Sequence, residues 1–285
     1  MNEYSAEDVG NIIALEHINV QVPDQLLATL FYIVGMGFTR DPYLNVGLTN
    51  MWANAGEQQF HLPTRQAQVI NGFIGIVVPD LEALATRLRG VEEGLRGTEF
   101  HWSENADTIS VTCPWGNRFR CHEAGPEFGD MKMGIPYVEF LTAEGSADSI
   151  ASFYRNVMKG PAAVELNGGK TARVSIGRNQ SLLFRESRET PAPYDGHHIA
   201  VYVANFSHPY GELKRRGLIT EDVRNHQFRF KDIIDPETGS PAFFLEHEVR
   251  SLRHPMFHRF FVNRDAAQTQ RQYRRGRDAL IPFAG

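Results

Sequence analysis

The stretch HINVQVPDQLLATLFYIVGMGF at residues 17–38 decides the fold. It begins with alternating apolar and polar residues, which is typical of a strand with one buried face. Asp24 then supplies a turn signal, and an amphipathic stretch follows that ends at a glycine, as helices often do. The stretch therefore predicts a strand, a turn and a helix, in that order.

The same opening recurs three more times along the chain: GFIGIVVPD begins at Gly72, IPYVEFLTAE at Ile135 and HHIAVYVAN at His197. A helical stretch ending at glycine follows each one, and three further short strands complete each unit, for example ISVTCPW with NRFRCHEA in the second. Repetition at a fixed spacing indicates copies of one supersecondary unit. The sequence thus predicts an α+β protein of four βαβββ modules.

A single curved sheet of this kind has an open edge and one apolar face, and a second copy covers both. We therefore expect neighbouring modules to pair into two half-barrels. Modules 1 and 2 would form an N-terminal domain at residues 11–124, and modules 3 and 4 a C-terminal domain at residues 134–250. The extension at residues 251–285 would cover either its own barrel or a second copy in a homodimer.

Bulk properties exclude several classes of protein. The net charge of −5 argues against a broad nucleic-acid surface, and no apolar stretch is long enough to cross a bilayer. The N-terminus lacks the pattern of a secretory signal, so a cytoplasmic location is expected. Cys113 and Cys121 are then expected to be reduced thiols rather than a disulfide.

The opening unit carries His17, Asp24, the pair Phe31 and Tyr32, and Gly37 before a phenylalanine. In these features it resembles the vicinal oxygen chelate superfamily, which includes glyoxalases, bleomycin-resistance proteins and type I extradiol dioxygenases. The run DPETGSPAFFLEHE at residues 235–248 resembles the family's last strand, which carries a metal-binding glutamate. The resemblance covers nearly the whole chain and implies an architecture like that of the extradiol dioxygenases.

The resemblance implies a metal on the concave face, bound from the first and last strands of paired modules. In the C-terminal domain it indicates His198 and Glu246, with His247 and Glu248 left open as the inward residue of the last strand. The dioxygenases' histidine is missing from the first strand of module 3, where Glu139 is the substitute that we expect. The predicted ligand set is therefore Glu139, His198 and Glu246.

The N-terminal domain offers a rival site. His17 and His61 occupy ligand positions of module 1, but Phe73 stands at the corresponding place in module 2. Arg120 and His122 follow on its last strand, and an arginine repels a cation. We expect this barrel to be either degenerate or a pocket for an anion.

His226, near the place where the dioxygenases carry an acid-base histidine, and His197 are the candidate acid-base residues. The pattern RFKDIIDPETG suggests that Arg229 and Lys231 bind an anionic group of a small aromatic or dicarbonyl substrate, and alternating charges on an exposed strand are the equal alternative. The cofactor would be a divalent ion, with Fe(II) favoured over Zn(II), Ni(II) and Mn(II). The favoured activity is that of an extradiol-type dioxygenase. A glyoxalase-like lyase, isomerase or epimerase, and a metal-free binding protein, are the alternatives.

Overall fold

The computed structural model describes residues 8–41, 49–166, 168–189, 192–223, 226–259 and residue 267. Within these residues no helix is long and apolar enough to cross a membrane. The order of elements is one strand, one helix and three strands, and it occurs four times. This confirms the predicted α+β fold of four βαβββ modules.

Each module contributes four strands. Module 1 has β1 Ile12–Asn19, β2 Thr39–Arg40, β3 Asn50–Ala55 and β4 Gln58–Pro63, and module 2 has β5 Gly72–Val78, β6 His101–Glu104, β7 Thr108–Thr112 and β8 Arg118–Glu123. Module 3 has β9 Tyr137–Ala143, β10 Ala162–Glu165, β11 Thr171–Gly177 and β12 Gln180–Ser187, and module 4 has β13 His198–Val203, β14 Ile219–Val223, β15 Gln227–Ile234 and β16 Pro241–Ser251.

The helices begin where the turn signals lie. The Asp24 side chain accepts hydrogen bonds from the first N–H groups of α1, Gln25–Ala28, and this helix continues as a π-helical segment, Thr29–Gly35. The helix of module 3 likewise continues as a π-helical segment, although its N-cap side chain forms no capping hydrogen bond. The other helices are α2 Leu81–Val91, α3 Ala147–Phe153 with its π segment Tyr154–Met158, α4 Ser207–Arg215, and a 3-10 turn at Pro126–Phe128.

Two eight-stranded sheets result, and neither joins a pair of modules that we expected to pair. One sheet has the order β14-β15-β16-β13-β1-β4-β3-β2, and the other β10-β11-β12-β9-β5-β8-β7-β6. Module 1 therefore pairs with module 4, and module 2 with module 3; we call these the 1+4 and the 2+3 half-barrels. The pairing that we expected, 1 with 2 at residues 11–124 and 3 with 4 at residues 134–250, was wrong for both sheets.

Contacts at the start of β1 show what selects this pairing. The Asn11 side chain donates to the carbonyl oxygens of Met158 at 3.0 Å and Asn205 at 3.2 Å, and its oxygen accepts from the backbone N–H of Asn205 at 2.6 Å. β1 is thereby fixed beside β13, with His17 opposite Ala200. The alternation along β1 would have suited β5 equally well, so it could not identify the partner.

Modules 1 and 2 meet instead through the helical segment of module 1, which packs on β8 and α2. The Phe31 ring lies 5.7 Å from that of Phe119, across modules 1 and 2. Gly35 ends the π-helical segment against α2, where a Cβ atom would come within 3.1 Å of Val91. The apolar core thus lies between helices and the convex sides of the sheets, and the concave faces are left for polar side chains.

The described part of the C-terminal extension covers its own half-barrel. The Phe257 ring packs 4.9 Å from that of Tyr202 on β13, and Met256 Sδ accepts a hydrogen bond from Arg250 at 3.5 Å. Arg259 forms a buried ion pair with Asp41. Residues 260–266 and 268–285 of the predicted extension lie outside the described residues.

Both cysteines are free and buried, as predicted. Burial raises the pKa of Cys113 to about 11 and that of Cys121 to about 12.

Candidate metal centre

His17 lies on the concave face of β1 with 1% of its surface exposed. Its Nδ1 atom is 2.7 Å from Glu16 Oε2. Burial would raise the pKa of Glu16, but Arg250 and then His17 outweigh it and bring this pKa to about 2. The ionised carboxylate therefore accepts the Nδ1 proton, which leaves Nε2 on the concave side as the nitrogen that could bind a metal.

His198 begins β13, directly beside β1. Its ring centroid is 5.8 Å from that of His17, and its Nδ1 atom is 3.6 Å from Glu246 Oε1. Burial holds the pKa of His198 well below its usual value, so the imidazole is neutral. A neutral ring is the form that binds metals.

Glu248 brings a carboxylate to the two histidines. It is 3% exposed on β16, and its Oε2 atom is 3.8 Å from His198 Nε2. Arg229 and Arg250 each form a close ion pair with it. Burial would raise the pKa of Glu248, but these arginines outweigh that effect and lower it, so the group is a permanent anion.

One ligand atom from each of His17, His198 and Glu248 lies within 4.8 Å of the others. Ligand atoms around one ion, each about 2.1 Å from it, stand roughly 3–4 Å apart, so a small side-chain rotation would complete the set. The Nε2 atoms of both histidines are buried and have no hydrogen-bond partner among the described residues. Buried polar atoms are rarely left unpaired without a reason, and a cation shared between the two would satisfy both. The residues fit a divalent ion.

His61 lies beside this group on β4. Its ring stacks on Trp52 at 4.1 Å, and its centroid is 5.9 Å from that of His17. Burial holds the pKa of His61 well below its usual value. Asn19 Nδ2 donates to His61 Nδ1 at 2.6 Å, which leaves Nε2 as the protonated nitrogen and a donor.

The predicted ligands do not all meet. Glu139 lies in the 2+3 half-barrel, opposite Phe73 and 2.9 Å from Arg185, so its selection as third ligand was wrong. His198 and Glu246 do lie together, and Glu246 also pairs with Arg229 at 2.8 Å. The missing ligand is His17, whose position along its strand we had recognised but had assigned to a separate barrel.

The other predicted residues are dispersed. His226 is exposed in the turn between β14 and β15, and Lys231 is exposed on β15. Arg229 forms ion pairs with Glu221, Glu246 and Glu248. Its guanidinium therefore holds carboxylates of the protein itself, rather than the anionic substrate group that we expected.

His197 is near the site in sequence only. Its Nδ1 atom is 2.6 Å from Asp195, and the ring lines a mainly apolar cavity of about 210 Å³ that is also lined by Phe140 and Phe243. This cavity lies at the junction of the two sheets and contains none of the three ligand atoms.

No protein-family model matches the sequence, and no curated protein matches it. Solved structures do match. They include a protein of Bacillus subtilis with a provisional assignment as a dioxygenase, at 16% identity, covering 91% of this chain and 89% of that one, with a TM-score of 0.58. Glyoxalase I of Zea mays matches at 11% identity over 83% of this chain and 92% of that one, with a TM-score of 0.57.

The cppA protein of Streptococcus pneumoniae is also similar, at 12% identity over 85% of this chain and 99% of that one, with a TM-score of 0.50. At these identities the likeness concerns the fold. The chain shares the fold of these dioxygenase and glyoxalase structures, as the predicted resemblance implied.

Proposed function

We propose that this protein is a metal-dependent enzyme that binds a small molecule through neighbouring oxygen atoms at His17, His198 and Glu248. One observation carries the proposal: two buried imidazoles present unpaired Nε2 atoms beside a buried carboxylate. A metal-free binding protein, the third alternative, would leave both nitrogens unsatisfied in its core, at a cost of about 1–3 kcal/mol each.

Surrounding residues hold the three ligands in place. Glu16 fixes the tautomer of His17, in the manner of the carboxylate–histidine pairs that support metal sites. Arg229 and Arg250 fix the Glu248 carboxylate from two sides and keep it ionised. Because Arg229 and Glu246 are each about one quarter exposed, the substrate would enter on their side.

Two histidines with one carboxylate favour an iron-dependent oxygenase among the candidate activities. In this proposal Fe(II) is the preferred ion, and Zn(II), Ni(II) and Mn(II) suit the same donors. A bound divalent ion would polarise the substrate oxygens and, for iron, supply redox chemistry. His61 Nε2–H would then donate a hydrogen bond to a substrate oxygen, in place of the acid-base role that we had expected of His226.

A glyoxalase-like isomerase or lyase is the second candidate, and Glu246 supports it. This carboxylate lies 3.6 Å from His198 and is partly open to solvent, so it is placed to move a proton on a bound substrate. Lys231 stays a candidate contact for an anionic substrate group in either reaction.

Metal analysis of the protein purified without chelator tests the proposal. We expect about one divalent ion per chain, lost in His17→Ala and in His198→Ala. Glu139→Gln is the matched control, because Glu139 is also a buried carboxylate but lies in the other half-barrel. Wild-type protein that binds no divalent ion after incubation with each candidate metal would refute the proposal.

Oxygen uptake with a panel of catechols then separates the two enzyme classes. Uptake that requires iron supports the dioxygenase. Proton exchange on a dicarbonyl or hydroxyacid probe without oxygen uptake supports the isomerase, and Glu246→Gln should abolish that exchange without releasing the metal.

A further inference from the structure

The 2+3 half-barrel repeats the geometry of the metal centre with different residues. The strand pairing shows which positions correspond. Asn19 on β1 pairs with His61 on β4, and Gly75 on β5 pairs with Arg120 on β8 in the same way. Arg120 therefore occupies the place of His61. Likewise Phe73 takes the place of His17, and Arg118 that of Gln59.

Two arginines converge on one ring at this face. Arg118 Cζ is 4.4 Å and Arg120 Cζ 4.6 Å from the centroid of Phe73, and all three side chains are half-buried. The Arg118 Nε atom donates to the Gly72 carbonyl oxygen at 3.2 Å. Both guanidinium groups thus lie against the same aromatic ring, which attracts each of them.

Tyr137 closes one side of the face. The absence of a side chain at Gly75 makes room for its ring, since a Cβ atom there would lie 2.5 Å from Tyr137 Cε1. The Tyr137 hydroxyl is 2.9 Å from His122 Nε2, and Arg120 also hydrogen-bonds it. The position equivalent to His198 is therefore occupied by a hydroxyl group that can donate to an oxygen.

The charges at this face do not balance. Glu139 is paired with Arg185 at 2.9 Å, and Glu127 acts on His122 at the far end of β8. Among the ion pairs of the described residues, none involves Arg118 or Arg120. Two partly buried guanidinium groups without a paired carboxylate make the local potential positive, and this potential attracts an anion.

We propose that the 2+3 half-barrel binds the oxyanion group, carboxylate or phosphate, of a small molecule between Arg118, Arg120 and Tyr137. Guanidinium groups match both anions through paired N–H donors, and a hydroxyl adds a third. This site is separate from the metal centre and does not depend on the proposed function. The concave face of the 1+4 half-barrel would thus bind a cation, and that of the 2+3 half-barrel an anion.

Calorimetric titration of the full chain with phosphate and with benzoate, at constant sodium chloride, tests the site. The His198→Ala variant serves as background, so that an anion binding at the metal centre cannot contribute. We expect saturable binding of at least one anion, weakened about tenfold or more by Arg120→Gln and by Arg118→Gln. Arg120→Lys should fall between, because it keeps the charge and loses the paired donors.

Arg89→Gln is the matched control, since Arg89 also lies over an aromatic ring, Trp102, but pairs with Glu104 at the surface. It should change affinity less than twofold or so. Tighter benzoate binding would identify a carboxylate ligand, and tighter phosphate binding a phosphorylated one. If neither anion binds, or if the double variant Arg118→Gln with Arg120→Gln binds as well as its parent while its circular dichroism is unchanged, the proposal is wrong.

Discussion

At the scale of single residues, Glu16 determines how well His17 can act as a ligand. Its carboxylate oxygen lies 2.7 Å from His17 Nδ1 and accepts the hydrogen bond of that nitrogen. This bond makes Nε2 a stronger metal ligand. We expect Glu16→Gln to weaken divalent-ion binding by about 10–100-fold, because a neutral amide supports the imidazole less. Competition with a chelating dye would measure this effect. Glu57→Gln, an exposed carboxylate in the same half-barrel, should bind the ion as the wild type does, and equal affinities in all three proteins would contradict the role.

The sequence identified part of this site. Alternation along β1 and β13 placed His17 and His198 on concave faces, and the FFLEHEV run located the carboxylate strand. It could not choose between Glu246 and Glu248, because both face the same side of one strand. The prediction of Glu139 was wrong for another reason. The local sequence shows which face of a strand a residue lies on, but it does not show which strands join to form one sheet.

The thiols give a second residue-scale prediction. Thiol reagents attack the thiolate, and burial raises the pKa of Cys113 to about 11 and of Cys121 to about 12. At pH 8 we expect the folded protein to react slowly with a chromogenic disulfide reagent, and both thiols to react at once in denaturant. Rapid reaction of either thiol in the folded protein would contradict its burial, or would show that the surrounding segment opens readily.

At the scale of elements, the segment after β16 should come loose in acid. His254 is buried there, and burial first, with Arg250 second, lowers its pKa to about 3. The unfolded chain takes up this proton near pH 6.5, whereas the folded chain does not until about pH 3. The contribution of neutral His254 to stability is therefore complete above pH 6.5 and is lost as the pH falls toward 3.

The variant His254→Gln isolates this contribution. Between pH 7 and pH 5 the wild type should lose about 1–2 kcal/mol more of its unfolding free energy than the variant does. Urea denaturation at both pH values measures the difference, and Gln can still accept the hydrogen bond that His254 Nδ1 takes from the Met256 N–H. Parallel losses in the two proteins would mean that His254 is protonated in the folded state.

Secondary structure was largely predictable from the sequence. The stretch QLLATLFYIVG is helical as expected, but it changes to π-helix at Thr29. Phe31 and Tyr32 are both buried in this π-helical segment. Local helix propensity does not predict such a change, because it depends on packing against the rest of the core. The last strand runs for 11 residues, and this length explains why the register of its glutamates was ambiguous.

At the scale of the whole molecule, the sequence specified four modules and left their partners open. Each module has the same apolar face and the same open edge, so a neighbour in sequence and a distant module satisfy it equally. The choice depends on contacts such as those of Asn11 with Met158 and Asn205, which span the chain. One consequence is that the candidate metal centre combines His17 from module 1 with His198 and Glu248 from module 4.

Cutting the chain between Asp130 and Met131, in the linker after β8, tests this arrangement. Residues 1–130 would retain β1 and β5 without their partners β13 and β9, so we expect this half to aggregate or self-associate when it is made alone. Neither half should bind the divalent ion tightly, because each lacks at least one ligand. The two halves expressed together should form a 1:1 complex that restores the site, as measured by light scattering and metal analysis. If residues 131–285 alone bound the ion with the affinity of the full chain and stayed monomeric, modules 3 and 4 would form a barrel by themselves, and the pairing across the chain would be refuted.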